Sequence, residues 1–442
     1  EFQKFAYNGY TYKNLNLDLK LKDNRWFSQV LLKDKNADFM LNASATMNKY
    51  VPSNISMTAF IHHLHLKNLH LTNHFSDDAL SAKLNVKLKG LSLDSPSGTV
   101  EVNDFLLCHE DSFGIDHLQI DAEPSENGTL VSMHSDFGNF TYDGPLSIEK
   151  IRNGFERIGG EYVGRDSKNI DRLSCKLRVR LINTKFIPAL IRVPLEFPTG
   201  FMVEGGMNSD EKQLLLTFSS DSVVYGENVL LRRPALIFKT KEGKLTSLVQ
   251  GIRKFGKSQI AFALSASAKD SLVKSALRWD DSKQDKHYGE ILADLKWERD
   301  NRLSLFVHPT DFAINDTTWH VYSGRVLFNH PSIKIDDFYV GRENQWLKIG
   351  GGFSNSPKDS LLVELKDIDV NYILNLFDIK PVKFNGMATG VATVRKAKSD
   401  SIDINGVLAI PNFHFNDALL GDANIHINWN SSNGRICFDN TI

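Results

Sequence analysis

"LHLKNLHL", residues 64–71, holds the question on which the fold turns. Leu64 and Leu66 alternate with polar residues, as in a half-buried strand. After Lys67 and Asn68 the alternation resumes at Leu69 and Leu71 with opposite parity. One strand carrying an extra residue gives this pattern, and so does a tight turn between two very short strands. The same unit, apolar-x-apolar-x-(Asn/Asp/Gly/His)-apolar-x-apolar, recurs at 10–17, 86–93, 100–107, 113–120, 333–340, 363–370 and 408–415. Asn, Asp and Gly tolerate the left-handed backbone at least cost. One such residue inserted into a strand makes a β-bulge, which shifts side-chain parity by one and bends the strand. With a bulge at Asn68, Leu64, Leu66, Leu69 and Leu71 face the same way. The same reading lines up Val100, Val102, Phe105 and Leu107; Ile333, Ile335, Phe338 and Val340; and Leu408, Ile410, Phe413 and Phe415.

Working outward, "LNLDLKL" (15–21), "LLLTF" (214–218) and "IHINW" (425–429) alternate in the same manner. The connectors "KDNR" at 22, "PSENG" at 124, "KEGK" at 241 and "SNSPKDS" at 354 are short and polar. Short connections join antiparallel strands, because a parallel crossover needs a dozen residues or more. The expected fold is therefore all-β: one long, strongly twisted and curled antiparallel sheet, elongated, with a few short helices. The helices are expected at 146–158, with Ile148, Ile151, Phe155 and Ile158 on one face and Ser147 as N-cap, and at 184–191 and 370–377. Residues 177–193 align without gaps on 363–379, and Gly200 then falls on Gly386, so a strand–helix–strand module occurs twice. Val370 belongs to both a strand window and a helical stretch. The chain divides into segments 1–144, 145–308 and 309–442, read as one continuous unit.

The 442 residues carry 52 basic and 53 acidic side chains. This balance gives no basic field for nucleic acid. Cys108, Cys175 and Cys437 lie far apart without a CxxC pair and read as plain buried thiols. His62, His63, His65, His70 and His74 form the densest cluster of chemistry-bearing side chains. Three imidazoles on one strand face can hold zinc, but no thiolate or carboxylate accompanies them and the spacing fits no zinc module. They read as the wet side of a strand, with no metal or other cofactor. "KIGGGFS" (348–354) is not a dinucleotide loop, and no nucleophile elbow, P-loop or paired buried carboxylates occur. The chain reads as no enzyme.

One-sided strands with few helices leave two ways to cover the apolar face. Two sheets pack into a dry sandwich, or one sheet curls around an apolar channel that something else fills. The bend residues favour the second.

Residues 310–394, from "TDFAINDTTWHVYSGRVLF" through "KIGGGFSNSPKDSLLVELKDIDVNYILNLFDIKPVKFNGMATGVATV", resemble the TamB family of translocation and assembly module proteins, within the AsmA-like group. "YNGYTYKNLNLDLKLKDNRWFSQVLLKDKNADFMLNASATMN" (7–48) resembles the same family's repeats. The resemblance is carried by the order of strand signatures rather than by one motif. It implies a periplasmic, bridge-like protein of the Gram-negative envelope, with a β-groove that holds phospholipid acyl chains between inner and outer membrane and supports outer-membrane protein assembly. It further implies an inner-membrane anchor and an outer-membrane barrel partner of the TamA type, both through parts outside this sequence. The first residue is not Met and the last follows a strand pattern, so the chain reads as an internal piece. The implied groove lining is the sixteen residues of the four windows above. The alternative is a structural or adhesive sandwich or solenoid that carries no lipid.

Overall fold

The computed structural model describes residues 2–48, 51–71, 79–89, 96–108, 113–164, 173–191, 193–226, 228–255, 258–281, 287–298, 302–314, 316–356, 358–370, 384–396, 401–415, 418–430 and 435–441. Among these are 32 strands and two helices. The chain forms two compact units, 1–159 with 167–240, and 160–166 with 241–442.

Unit 1 runs as a meander. Its strands are β1 (Phe2–Tyr7), β2 (Tyr10–Lys22), β3 (Arg25–Asp34), β4 (Ala37–Asn48), β5 (Val51–His65), β6 (Ala79–Leu88), β7 (Gly98–Cys108), β8 (Phe113–Ser125), β9 (Gly128–Ser135) and β10 (Gly138–Gly144). Each pairs antiparallel with the next. Helix α1 (Ile148–Val163) leaves the sheet and the chain returns as β11 (Ser174–Leu181) beside β10. Helix α2 (Phe186–Ile191) and β12 (Leu195–Glu196) precede β13 (Phe201–Asn208), β14 (Gln213–Ser220), β15 (Ser222–Tyr225) and β16 (Asn228–Lys241). Ser147 caps α1, its Oγ accepting from the Lys150 amide at 3.3 Å. Ile158 is buried as expected, but Ile148 in the first turn is 82% exposed. Ile151 is half-buried, and at Gly154 the helix is close-packed: a methyl group added there would strike Leu173 and Met207.

Unit 2 continues with β17 (Lys244–Phe255), β18 (Ser258–Lys269), β19 (Leu272–Asp280) and β20 (His287–Trp297). Next comes a hairpin whose two arms are each broken once: β21 (Leu303–Val307) with β22 (Thr310–Ile314), facing β23 (Thr317–Val321) with β24 (Gly324–Asn329). Then follow β25 (Ser332–Arg342), β26 (Gln345–Phe353), β27 (Leu361–Asp369), β28 (Phe384–Asn385), β29 (Met387–Lys396), β30 (Ile402–Phe415), β31 (Ala418–Asn430) and β32 (Arg435–Thr441). The expected helix at 370–377 lies outside the described residues apart from Val370. β27 ends at Asp369, so the strand reading of Val370 was one residue too long; Val370 is buried at 7% exposure. Gly200 and Gly386, matched in the repeated module, both have positive φ (78° and 151°) and each immediately precedes a strand. A side chain at Gly200 would come within 1.8 Å of the Leu181 carbonyl oxygen.

The bends fall where the repeated unit puts them in five of its eight copies. Asn14, Asp104, Asp337, Asp367 and Asn412 have φ between 46° and 55°. Strand register shifts at Ile335/Phe338, Leu365/Ile368 and Ile410/Phe413. Neighbouring strands pin these residues. Lys83 Nζ lies 2.6 Å from Asp104, Lys348 Nζ lies 3.1 Å from Asp337, and the Asn412 amide donates to Asp422 at 3.0 Å.

The opening stretch is a correction. β5 ends at His65, and residues 66–70 form a turn closed by Leu69 N donating to His65 O at 3.1 Å. The positive φ belongs to His70, not Asn68. His117 in the window 113–120 lacks it too, and Gly90 lies outside the described residues. Two further bulge-like residues, Asn54 (φ 44°) and Arg233 (φ 47°), were not foreseen.

Two clusters of buried residues, the creases, lie beside bends. In unit 1, Leu32, Ala37 and Leu69 are at most 3% exposed and pack with Tyr10, Tyr12, Leu15, Phe39 and Leu64. In unit 2, Val370, Ala388, Ile410, Phe413 and Ala423 pack with Leu365 and Ile425.

Candidate functional site

Residues paired across antiparallel strands share a face. Following these pairs through unit 1 gives one line across thirteen strands. It runs Leu19, Ser28, Ala43, Met57, Val86, Val100, Ile120, Met133, Phe140, Val179, Val203, Phe218, Leu236. Only Ser28 is polar. A parallel line, two residues over, runs Leu17, Val30, Leu41, Ala59, Leu84, Val102, Leu118. The opposite face reads Lys20, Phe27, Ser44, Ser56, Lys87, Thr99, Asp121, Ser132, Thr141, Arg178, Glu204, Thr217, Ile237.

Unit 2 repeats the arrangement. Leu245, Ala268, Val273, Leu295, Leu305, Val326, Ile335, Gly351, Leu361, Val394, Ile404 and Trp429 form a line without a polar side chain. At about 4.8 Å per strand, the thirteen-strand line of unit 1 and the line of unit 2 are each roughly 55 Å long.

This face is not covered by a second sheet. Among large apolar residues on the two lines of unit 1, Leu17 is 40% and Leu19 55% exposed.

The sixteen expected lining residues fall in four groups. Val100, Val102, Ile333, Ile335, Phe338, Val340 and Leu408 lie half-buried on the apolar face. Leu64, Leu69, Phe105, Leu107, Ile410 and Phe413 line the crease or its flank; the Phe105 ring lies 6.2 Å from Phe113, which in turn meets Phe186 of α2. Leu66 sits in the turn after β5. Leu71 and Phe415 are 47% and 38% exposed. Sequence pattern alone missed most of the face, because "LSAKLNVKL" and "LVSMHS" align their apolar residues only once register is known.

One place on the face is hollow. Leu17, Leu19, Trp26, Val30, Leu41, Ala43, Ala45, Pro52, Ile55 and Met57, with Ser28, line an open trough of about 490 Å³ over β2–β5.

Titratable groups are structural. Burial pushes the Asp34 carboxyl up, but hydrogen bonds from the Tyr10 hydroxyl and from the Asn36 and Lys13 amides outweigh it and leave it below its ordinary value. Tyr142, which donates to the Pro145 carbonyl at 2.6 Å, is pushed up to about 12, first by burial and then by neighbouring Cys175 and Asp143. Burial also raises the Cys175 thiol. Cys108 is exposed, a correction to its expected burial; it lies at the outer end of β7. In the histidine run, His63 and His65 rings sit 5.9 Å apart, whereas His70 turns to the Asn8 carbonyl at 3.1 Å. His74 lies outside the described residues, among which no three His, Cys, Asp or Glu side chains gather.

No family model, curated protein or solved structure matches this chain.

Proposed function

We propose that this chain is a lipid-carrying section of a TamB-like, AsmA-like envelope protein. It holds phospholipid acyl chains on its apolar face on their way between inner and outer membrane. The observation that supports this best is the apolar line across thirteen strands of unit 1, interrupted only by Ser28, with most of its side chains half-buried and Leu19 55% exposed. A monomer rarely leaves an apolar patch of more than a few hundred Å² to water. Acyl chains are a fitting cover: burial is worth about 25 cal/mol per Å² in either surrounding, so transfer from bilayer to sheet is close to neutral and sliding is allowed. The mechanism is physical, with headgroups wet at the margin and chains on the face; it needs no catalytic group, metal or cofactor. A periplasmic location, an inner-membrane anchor and a barrel partner of the TamA type belong to the same proposal.

The test is to purify the chain from a membrane-containing host, extract it with organic solvent and quantify phospholipid by mass spectrometry. Val100→Asp with Val102→Asp places two carboxylates on the face at half-buried positions. The expected result is loss of most bound phospholipid with the β-sheet circular dichroism retained. Absence of lipid from the wild-type chain, or undiminished loading of the double variant, overturns the proposal.

A further inference from the structure

We propose that a ladder of four rings, His320, Tyr322, Tyr339 and Trp346, is a platform for a neutral glycan chain. It lies on the face of unit 2 opposite the apolar line, so it is independent of the lipid reading above and uses the other side of the sheet.

The bulge sets the ladder's face. Positive φ at Asp337 brings Ile335, Phe338 and Val340 to the apolar side. Tyr339 and Gly341 therefore point the other way. Register carries that face sideways. Gly341 stands between His320 of β23 and Trp346 of β26. The Tyr322 amide donates to the Tyr339 carbonyl at 2.9 Å, one step along from the Val321–Val340 pair. Ring centroids are 4.4 Å apart for His320–Tyr322, 4.8 Å for Tyr322–Tyr339 and 6.0 Å for Tyr339–Trp346. The last pair is stacked, with 29° between its planes. Gly341 leaves room for this: a methyl carbon there would lie 3.1 Å from Tyr339 Cε1. Cross-strand ring pairs also stabilise a sheet. Rings that served only that end would be covered, whereas Tyr322 is 47% exposed.

Charged groups frame the rings in the same register. Lys348 and Glu364 follow Tyr339 across β26 and β27, Lys366 follows Trp346, and the Asp311 carboxylate meets the His320 ring. Lys348 Nζ lies 3.1 Å from Asp337. An apolar centre with donors and acceptors at its rim matches a sugar, which has a C–H face and a hydroxyl edge. Other occupants fit less well. An acyl chain would lie against the charged rim. A polyanion needs a basic surface, and here three carboxylates stand beside two lysines. A quaternary ammonium needs rings spaced around it, but His320, Tyr322 and Tyr339 pack directly on one another. An extended peptide needs a free strand edge, and β25 is paired on both sides. From β23 to β26 the ladder covers two strand spacings, roughly 10 Å, which is about the length of a disaccharide.

Saturation-transfer NMR on the full chain with chitotriose, cellotriose and maltotriose tests the platform. At least one of the three should receive saturation, strongest on the C–H protons of one ring face. Affinity in that series should rise about tenfold from mono- to disaccharide and little beyond. Tyr322→Ala and Trp346→Ala should each weaken binding about two- to tenfold, the worth of one ring contact, and Tyr322→Phe should retain it. Should Trp346→Ala not fold, Tyr322→Ala carries the test alone, since its side chain is exposed.

No saturation in any of the three sugars overturns the platform. Undiminished saturation in Tyr322→Ala does so too, by removing the sugar from the ladder. Tighter binding of tetramethylammonium or of a short oligonucleotide than of every trisaccharide overturns the choice of a glycan.

Discussion

The bends are the feature most open to a quantitative challenge, and Asn412 isolates one. Its φ is 51°, in the left-handed region. Its amide donates to Asp422 Oδ1 at 3.0 Å. Just before and after it, Ile410 and Phe413 enter the crease at 2% and 6% exposure. Asn412→Val keeps the amide and its hydrogen bond, so it changes chiefly the backbone preference. A left-handed conformation costs an ordinary residue about 1–2 kcal/mol, and a β-branched one lies at the upper end. Opening of the β30–β31 pair should therefore become about 5- to 30-fold more frequent. Asn412→Gly should leave it unchanged or slightly less frequent. Deleting Asn412 is a different perturbation: it removes the extra residue, so Ile410 and Phe413 stand two positions apart on one face of a strand that no longer bends. If the bend is what lets Ile410, Phe413 and Ala423 pack together, that end of the sheet should exchange faster than in the wild type. Hydrogen exchange read by mass spectrometry over residues 402–430 measures all three variants as local events, without assuming that the whole chain unfolds together. If Asn412→Val exchanges like the wild type, or if the deletion leaves the crease protected, the bulge is not what builds the crease.

Three further outcomes follow from the titratable groups. Asp34 has a folded pKa below its unfolded value, so its contribution is present above the unfolded pKa and is lost as pH falls through the folded one. Exchange protection of β1–β3 should fall in acid, and Asp34→Asn should remove that pH dependence; a wild-type profile in the variant refutes it. Tyr142 lies on the other side of the rule: its contribution is present below about pH 10 and is lost as pH rises through about 12. Ultraviolet titration should show one tyrosine ionising there that is missing in Tyr142→Phe. Iodoacetamide at neutral pH should alkylate exposed Cys108 well before Cys175, whose buried thiol is raised; equal rates by peptide mass spectrometry contradict that placement.

The all-β antiparallel class was readable because alternation and short polar connectors are local properties. Left-handed bends were readable where Asn or Asp stood alone between two alternating runs, as at Asp337 and Asn412. "LHLKNLHL" misled for a physical reason. A period-two pattern cannot distinguish a strand that bends from a chain that leaves the sheet after His65 and folds a leucine back. Leu69 was expected to line an open groove; it is instead packed at 0% exposure against Leu32 and Ala37. Asn54 escaped because Pro52 and Ser53 precede it in "YVPSNISM", which breaks the apolar signature. Arg233 escaped because arginine gives no hint of positive φ; there the bend is supported by the Arg233 amide donating to the Asp221 carbonyl at 2.7 Å. The trough was wholly illegible. It depends on Ser28 and Ala43 being neighbours, and neighbourhood across strands is fixed by register, which a sequence does not display.

The distribution of residue sizes bears on whether the face is meant to be dry. In a sandwich of two pressed sheets the largest apolar side chains are the most buried, because they fill the space between layers. Here the buried residues are of both kinds: Ala37 and Ala388 at 0% and Ala423 at 1%, but also Leu69 at 0% and Ile410 at 2%. Along the two lines of unit 1 the valines, leucines and isoleucines stay partly exposed. At about 25 cal/mol per Å², an open apolar face of this extent strongly favours any cover that can follow a bent, continuous strip. A rigid partner would have to match that curvature strand by strand. Flexible acyl chains conform to it at each step, and this is why the proposed cargo suits the sheet better than a second folded surface does.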